Sequence, residues 1–161
     1  MSFSIQPFYD DENVDHVLPE GQVAEWRPSV YGVLIVDGKI LMIKDGRAKH
    51  GWEFPGGGVN MDETYQEALV REFFEETGYK IRVVGEKPLW IDSAYFYNKR
   101  WQKFFRSVLI FYRVELVSSE QDTSLVNTLE PDEISAIEWI PLNTLTPSDC
   151  HRMIRNCLSH L

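Results

Sequence analysis

The chain has 161 residues, of which 43% are hydrophobic and 25% charged, with 16 Lys and Arg against 25 Asp and Glu and a formal net charge of −9. That length suits a single domain, residues 1–161, with enough apolar material for a core, and the low hydrophobicity that accompanies disorder is missing. A generic grip on nucleic-acid backbone, duplex DNA or RNA above all, is disfavoured because such binders carry a basic footprint; an acidic protein takes a phosphorylated substrate when metal ions sit between the two sets of negative charge.

The first fifteen residues, MSFSIQPFYDDENVD, lack the basic and apolar regions of a secretory signal, and no apolar run is long enough to span a bilayer. Two cysteines, Cys150 and Cys157, are too few for a disulfide scaffold and fit reduced thiols in a cytoplasmic protein. Residues 1–25 are polar and acidic and are expected as an N-terminal arm or edge strand. SVYGVLIV, residues 29–36, has the composition of a buried strand; Asp37-Gly38 is a hairpin turn signal, and KILMIK, residues 39–44, is the partner strand. WEFPGGG follows, with glycines at 56, 57 and 58, and is expected as a loop outside any element interior.

Thr64 with Glu67 three residues later forms a capping box, predicting a helix that ends near Thr77 with Gly78 just past it. Further strands are predicted over residues 79–84, 89–94, 104–116 and 134–140. The tail, 147–161, is expected to hold a short helix, with Met153, Ile154 and Leu158 spaced for one face. Strands dominate, which gives an α+β or mixed-sheet domain. Trp26, Trp52, Trp90 and Trp139 stand in apolar surroundings and are expected in the core.

On a helical wheel Arg71, Glu72, Glu75 and Glu76 share one side with Ala68, while Leu69, Val70, Phe73, Phe74 and Thr77 share the other. Glu72, Glu75 and Glu76 are related by i, i+3 and i+4 steps, and like charges so placed destabilise a helix by a few tenths of a kcal/mol each, roughly. Arg71, itself four residues after Glu67, offsets only part of that. Two readings follow: an ordinary solvated acidic face, or a site for hard divalent cations such as Mg2+ or Mn2+, with the small Ala68 leaving room beside it. The cluster holds no His or Cys, so zinc does not fit. The Pro-Gly-Gly-Gly segment just before the helix brings backbone groups to the same place.

From residue 57 to 79 the chain reads GGVNMDETYQEALVREFFEETGY. This resembles the Nudix box, G-x5-E-x7-R-E-U-x-E-E-x-G-U with U a bulky apolar residue. Gly57, Glu63, Arg71, Glu72, Glu75, Glu76 and Gly78 fall on its fixed positions, and Phe73 and Tyr79 on its apolar ones. The lead-in WEFPGG is also typical of that family. The box covers about a seventh of the chain, and the strand order extends the likeness more weakly to most of it. The resemblance implies the Nudix fold, a mixed β-sheet between α-helices, and a site for one to three divalent ions held by Glu72, Glu75 and Glu76, with the carbonyl of Gly56 joining them. It implies that Arg71 orients a box glutamate and that Glu63 supports the loop. Chemically it implies attack of an activated water on one phosphorus of a nucleoside diphosphate derivative. The base is Glu72 or a later carboxylate, for which LEPDEIS offers Glu130, Asp132 and Glu133.

For the substrate, SAYFYNKRWQKFFR (residues 93–106) is the one basic, aromatic stretch. It brings Tyr95, Arg100, Trp101 and Lys103 as candidates for a base and its phosphates, against a hairpin whose rings pack inward and whose cations are solvated. Lys44, Arg47, Lys49 and His50 form a second basic group. A nucleoside triphosphate or modified dNTP is the expected substrate, ahead of dinucleoside polyphosphates and then nucleotide sugars or ADP-ribose. Two rival functions are a non-catalytic nucleotide sensor, which often loses a box glutamate, and an isomerase of prenyl diphosphates, which commonly needs a cysteine near the substrate. Homodimers are common in the family. Cys150, His151, Cys157 and His160 have no usual zinc spacing.

Overall fold

A computed structural model describes residues 6–46, 51–128 and 133–161. Among these, the strands are β1 (Phe8–Tyr9), β2 (Asp15–His16), β3 (Glu25–Val36), β4 (Lys39–Asp45), β5 (Gly56–Gly58), β6 (Tyr79–Val83), β7 (Trp90–Asn98), β8 (Lys103–Gln121) and β9 (Ile134–Pro141). Helix α1 (Tyr65–Thr77) stands between β5 and β6, and α2 (Arg155–Leu158) near the end. Of the basic and acidic candidates, Arg47, Lys49, His50, Glu130 and Asp132 lie outside the described residues.

The strands form one mixed sheet in the order β2-β1-β7-β8-β3-β4-β9. Its spine is the parallel pair β3 and β8, in register from Glu25 opposite Phe105 to Leu34 opposite Val114. The other edge of β3 is shared: β5 takes its middle, Ser29 opposite Gly58 through Tyr31 opposite Gly56, and β4 takes its end. The turn into β4 has positive φ at both Asp37 and Gly38, the geometry that suits the twist of a tight hairpin.

Alternation along β3 builds two cores. Val30 and Leu34 point to one face and meet Ala68, Leu69 and Phe73 of α1. Tyr31 and Val33 point to the other and meet Phe54, Phe111, Cys150 and Ile154. Helix α1 thus covers one face, and the C-terminal turns with α2 cover the other. Between Val30 and Leu34, Gly32 lets the Phe73 ring settle against the strand, where a Cβ would come within 2.7 Å of it.

The capping box at Thr64 and Glu67 is present, and Gly78 closes α1 in the left-handed conformation. Several expectations are corrected. The glycine run is a strand, not a loop, because its backbone groups complete the open edge of β3. The buried arc of α1 is Ala68, Leu69, Phe73, Glu76 and Thr77, whereas Val70 is exposed. The helix is therefore rotated toward its acidic side, and Ala68 packs in the core instead of leaving space beside the glutamates. Trp26 is 69% exposed and so is not core, since it lies on β3 beyond the reach of α1; Trp52, Trp90 and Trp139 are half-buried against the two clusters. The tail is mostly 3-10 turns, Pro147–Asp149 and Arg152–Ile154, with only four residues of α-helix. Residues 8–16 lie at the edge of the sheet, with Phe8, Tyr9 and Asp10 buried.

Candidate active site

Two glutamates of α1, Glu72 and Glu76, come up against the glycine strand β5, which has no side chains to hold them off. The Glu72 carboxyl rests against Gly57, where an added Cβ would come within 2.6 Å of its Cδ. At Gly58 a Cβ would come within 2.6 Å of the Arg27 guanidinium. The Gly56 N–H donates to Glu76 Oε2 at 2.7 Å, and that N–H is the hydrogen-bond donor the structure brings to this nearly buried carboxyl.

Arg71 ties the site together. Its Nε donates to Glu63 Oε2 at 3.0 Å and its Nη2 to Glu63 Oε1 at 2.5 Å, a forked pair that leaves Nη1 for Glu72 at 2.7 Å and Glu75 at 3.3 Å. Nη2 also reaches the Gly58 carbonyl at 3.2 Å, while Glu63 Oε1 accepts the Asn60 N–H at 2.7 Å. One guanidinium thereby holds the β5–α1 loop against the helix.

One arginine does not neutralise three carboxylates. Burial pushes the Glu72 carboxyl up from its usual range, against the pull of Arg71. Burial pushes Glu76 up much further; the Gly56 N–H opposes this, while the charges of Glu72, Glu133 and Glu53 add to it. Crowded, partly desolvated carboxyl groups of this kind are relieved by a hard divalent cation, and their oxygen donors match Mg2+ or Mn2+. Among the described residues no three His, Cys, Asp or Glu side chains already converge on one metal-sized point, because Glu72 and Glu75 are turned toward Arg71. The donor set fits the cation chemically, with backbone oxygen and substrate phosphate left to complete its shell.

Three depressions meet at this point. The first runs along Arg27, Ser29 and Tyr31 on β3 and continues to Phe96, Arg100 and Trp101. The second holds Arg71, Glu72, Glu75, Glu76, Asn127 and Glu133. The third lies outside Arg27, between Trp26, Trp101, Lys103 and Phe105. Arg100, Trp101, Lys103 and Glu133 are therefore brought to the site. Tyr95 is not: Phe96 faces the cleft, so alternation sends Tyr95 to the opposite face, where its ring meets Phe8 at 5.2 Å and lies under Arg106 at 5.0 Å. Lys103 pairs with Glu25 at 2.8 Å on the outer rim.

Sequence reasoning passed over Arg27. It borders all three depressions, and its guanidinium lies over the Trp101 ring at 5.0 Å and the Phe105 ring at 5.3 Å. A lone cation two and four positions before Ser29 and Tyr31 on one strand face was its available signal. Elsewhere, Cys150, His151 and Cys157 are buried, and burial pushes the two thiols up to about 11 and about 12, as inert core groups. His160 stacks on Trp90 at 3.9 Å. No helix among the described residues is long and apolar enough to cross a membrane.

A mixed sheet between helices, with a glycine strand facing a glutamate helix, is the arrangement of Nudix hydrolases. The family model described as the NUDIX domain matches residues 25–158, and the chain belongs to that family. The RNA pyrophosphohydrolase of Stenotrophomonas maltophilia (strain K279a) is 41% identical over 125 residues, 71% of this chain and 59% of that protein. The m7GpppN-mRNA hydrolase dcap-2 of Caenorhabditis elegans is 28% identical over 139 residues, 84% of this chain but 16% of its own length. The chain thus spans less than two thirds of these curated relatives. The crystal structure of a MutT NUDIX hydrolase from Burkholderia pseudomallei superposes with a TM-score of 0.65 at 27% identity, covering 85% of this chain and 98% of that one. A UDP-X diphosphatase superposes at 0.58 with 19% identity, covering 87% of this chain and 64% of that one, a likeness of fold.

Proposed function

We propose that the protein hydrolyses the pyrophosphate linkage of a nucleoside triphosphate or modified dNTP, with Mg2+ or Mn2+, one to three ions, held by Glu72, Glu75, Glu76 and the Gly56 carbonyl. The observation that carries this reading is the packing of the Glu72 and Glu76 carboxyls on a side-chain-free strand, with Arg71 holding Glu72 beside Glu75. The divalent cation supplies charge neutralisation for the phosphates and lowers the pKa of an attacking water. The chain's own residues do the rest. Arg71 holds Glu72 and Glu75 in place, and Glu63 holds Arg71. Arg27, clamped by two rings at the meeting of the depressions, binds a phosphate oxygen. Glu72 and Glu133 line the same space and are the two candidates for proton acceptor from the water.

A second reading, the 5′-triphosphate end of RNA, is favoured by the names of the relatives and by the outer depression, whose exposed Trp26 and Trp101 offer stacking surface next to the phosphate position. A hydrolysis screen tests both. It runs nucleoside triphosphates, oxidised dNTPs, dinucleoside polyphosphates, nucleotide sugars, ADP-ribose and a 5′-triphosphorylated oligoribonucleotide, with Mg2+ and Mn2+, on wild type and Glu76→Gln. Metal-dependent turnover of triphosphates that Glu76→Gln abolishes is the expected result. Nucleotide binding without turnover of any substrate would instead make the protein a sensor.

A further inference from the structure

The matched family domain begins at residue 25, yet the preceding hairpin is built into the fold. Asp10 is 1% exposed and anchors it: its carboxylate accepts the N–H groups of Glu12 and Val14, each at 2.9 Å, and the His16 Nε2 contact at 2.8 Å. Arg152 fastens the hairpin from the C-terminal side, with Nη1 on Asp15 at 2.6 Å, its backbone N–H on Asn13 Oδ1 at 3.3 Å and its guanidinium over the Tyr9 ring at 4.5 Å.

This hairpin borders the cleft that runs along β3 to Phe96 and Trp101. Asp11 lines the cleft there, with Asn98 and Lys99, and Phe96 and Met153 supply apolar surface for the face of a ring. Lys99 is aimed by the hairpin itself, through Asp10 at 3.3 Å and Glu12 at 3.0 Å. An ammonium has three donors, so two contacts leave one for a ligand.

We propose that the hairpin is a base-selecting wall, in which Asp11 and Lys99 read the edge of guanine in a guanine nucleotide bound along the cleft. The inference rests on the nucleotide-hydrolase reading of the same cleft. An ionised carboxylate only accepts hydrogen bonds, and its two oxygens match two adjacent donors. Guanine has such a pair, N1–H and N2–H2, beside the O6 acceptor that a lysine prefers. Adenine places the N1 lone pair where guanine has N1–H, so the same carboxylate repels it. Cytosine and uracil each offer a single donor group on that edge. Asp11 and Lys99 bind the substrate base and take no part in the chemical step, so their contribution falls on KM.

The test compares kcat and KM for GTP, ITP, ATP, CTP and UTP on wild type and Asp11→Asn. ITP lacks the 2-amino group and probes the Asp11 contact without altering the protein. The expected result is a KM for GTP about tenfold below those for ITP and ATP, erased by Asp11→Asn with kcat unchanged. Equal KM for GTP and ATP in an active wild type overturns the base wall and leaves the hydrolase reading standing. If no nucleotide is turned over, that reading fails, and titration of GTP and ATP against tryptophan fluorescence decides the wall separately. Guanine-selective binding lost in Asp11→Asn then upholds it, and equal binding overturns it.

Discussion

The carboxyl of Glu72 lies where a side chain on Gly57 would have to be: a Cβ there would stand 2.6 Å from Glu72 Cδ and 2.7 Å from its Oε2. Gly57 sits on β5, away from the core, so Gly57→Ala should move the carboxylate without unfolding the protein. A shift of about 1 Å at such a site costs on the order of a hundredfold in rate. Steady-state kinetics beside a thermal unfolding curve would check this: a large fall in kcat is expected with a nearly unchanged Tm.

Gly32→Ala makes the opposite separation. The new methyl would press into the Phe73 ring, which is fully buried and has nowhere to go. Overpacking of that kind costs about 1–3 kcal/mol, which lowers Tm by roughly 3–10 °C at this chain length. Activity per folded molecule, assayed well below Tm, should stay close to wild type.

Arg71→Lys keeps the charge but loses the fork that grips Glu63 while also reaching Glu72, Glu75 and the Gly58 carbonyl. Loss of hydrogen bonds to charged groups at this partly buried position should destabilise by about 2 kcal/mol. Metal affinity, read by Mn2+ titration, should weaken in the same variant, because Glu72 and Glu75 lose their common anchor.

Glu76 gives a signed pH dependence. Burial and neighbouring carboxylates raise its pKa well above the unfolded value near 4.5, so in the window above 4.5 the folded state holds a proton that the unfolded chain has released. Stability of the metal-free protein is therefore greatest below that window and falls as pH rises through the folded pKa. Glu76→Gln should remove this slope and raise the Tm of metal-free protein at pH 8, with the Gly56 N–H still accepted by the amide oxygen. Adding Mg2+ should raise the wild-type Tm more at pH 8 than at pH 5, since the ion competes with the proton for the carboxylate. A Tm series in EDTA and in Mg2+ across that range would decide it.

Asp10 runs the other way. Burial works against its ionisation, but His16, the N–H groups of Val14 and Glu12, and Lys99 outweigh it and hold the carboxyl at about 2, below its usual 3.8. A depressed carboxyl contributes stability that is present above the unfolded pKa and lost as pH falls from about 4 toward 2. The hairpin should undock in that window, and Asp10→Asn should expose it to proteolysis at neutral pH.

Much of the site was readable because helical periodicity is a local property. The i, i+3 and i+4 steps put Glu72, Glu75 and Glu76 together, and the Thr64–Glu67 cap and Gly78 set the bounds of α1. The wheel failed only in its rotation: Ala68 is buried and Val70 exposed, since which arc faces the sheet depends on where β3 and Gly32 admit Phe73. Tyr95 was misplaced for a related reason. Every aromatic in residues 93–106 is equally plausible as a stacking residue until strand register assigns Phe96 to the cleft and Tyr95 to the opposite face, and the β7–β8 turn brings Trp101 to the cleft.

By itself the chain's order of residues determined the family, the carboxylate cluster with its arginine, the hairpin at Asp37-Gly38 and the strand-rich composition, because each is written in spacings of a few residues. Only the tertiary structure decided that three glycines form a strand, that Arg27 stands where the depressions meet, and that Asp11 and Lys99 line one cleft together. Those facts depend on β1 pairing with β7 and β3 with β8, between segments about 80 residues apart along the chain. No local pattern encodes such pairings; they are settled by which apolar faces the whole chain can bury at once.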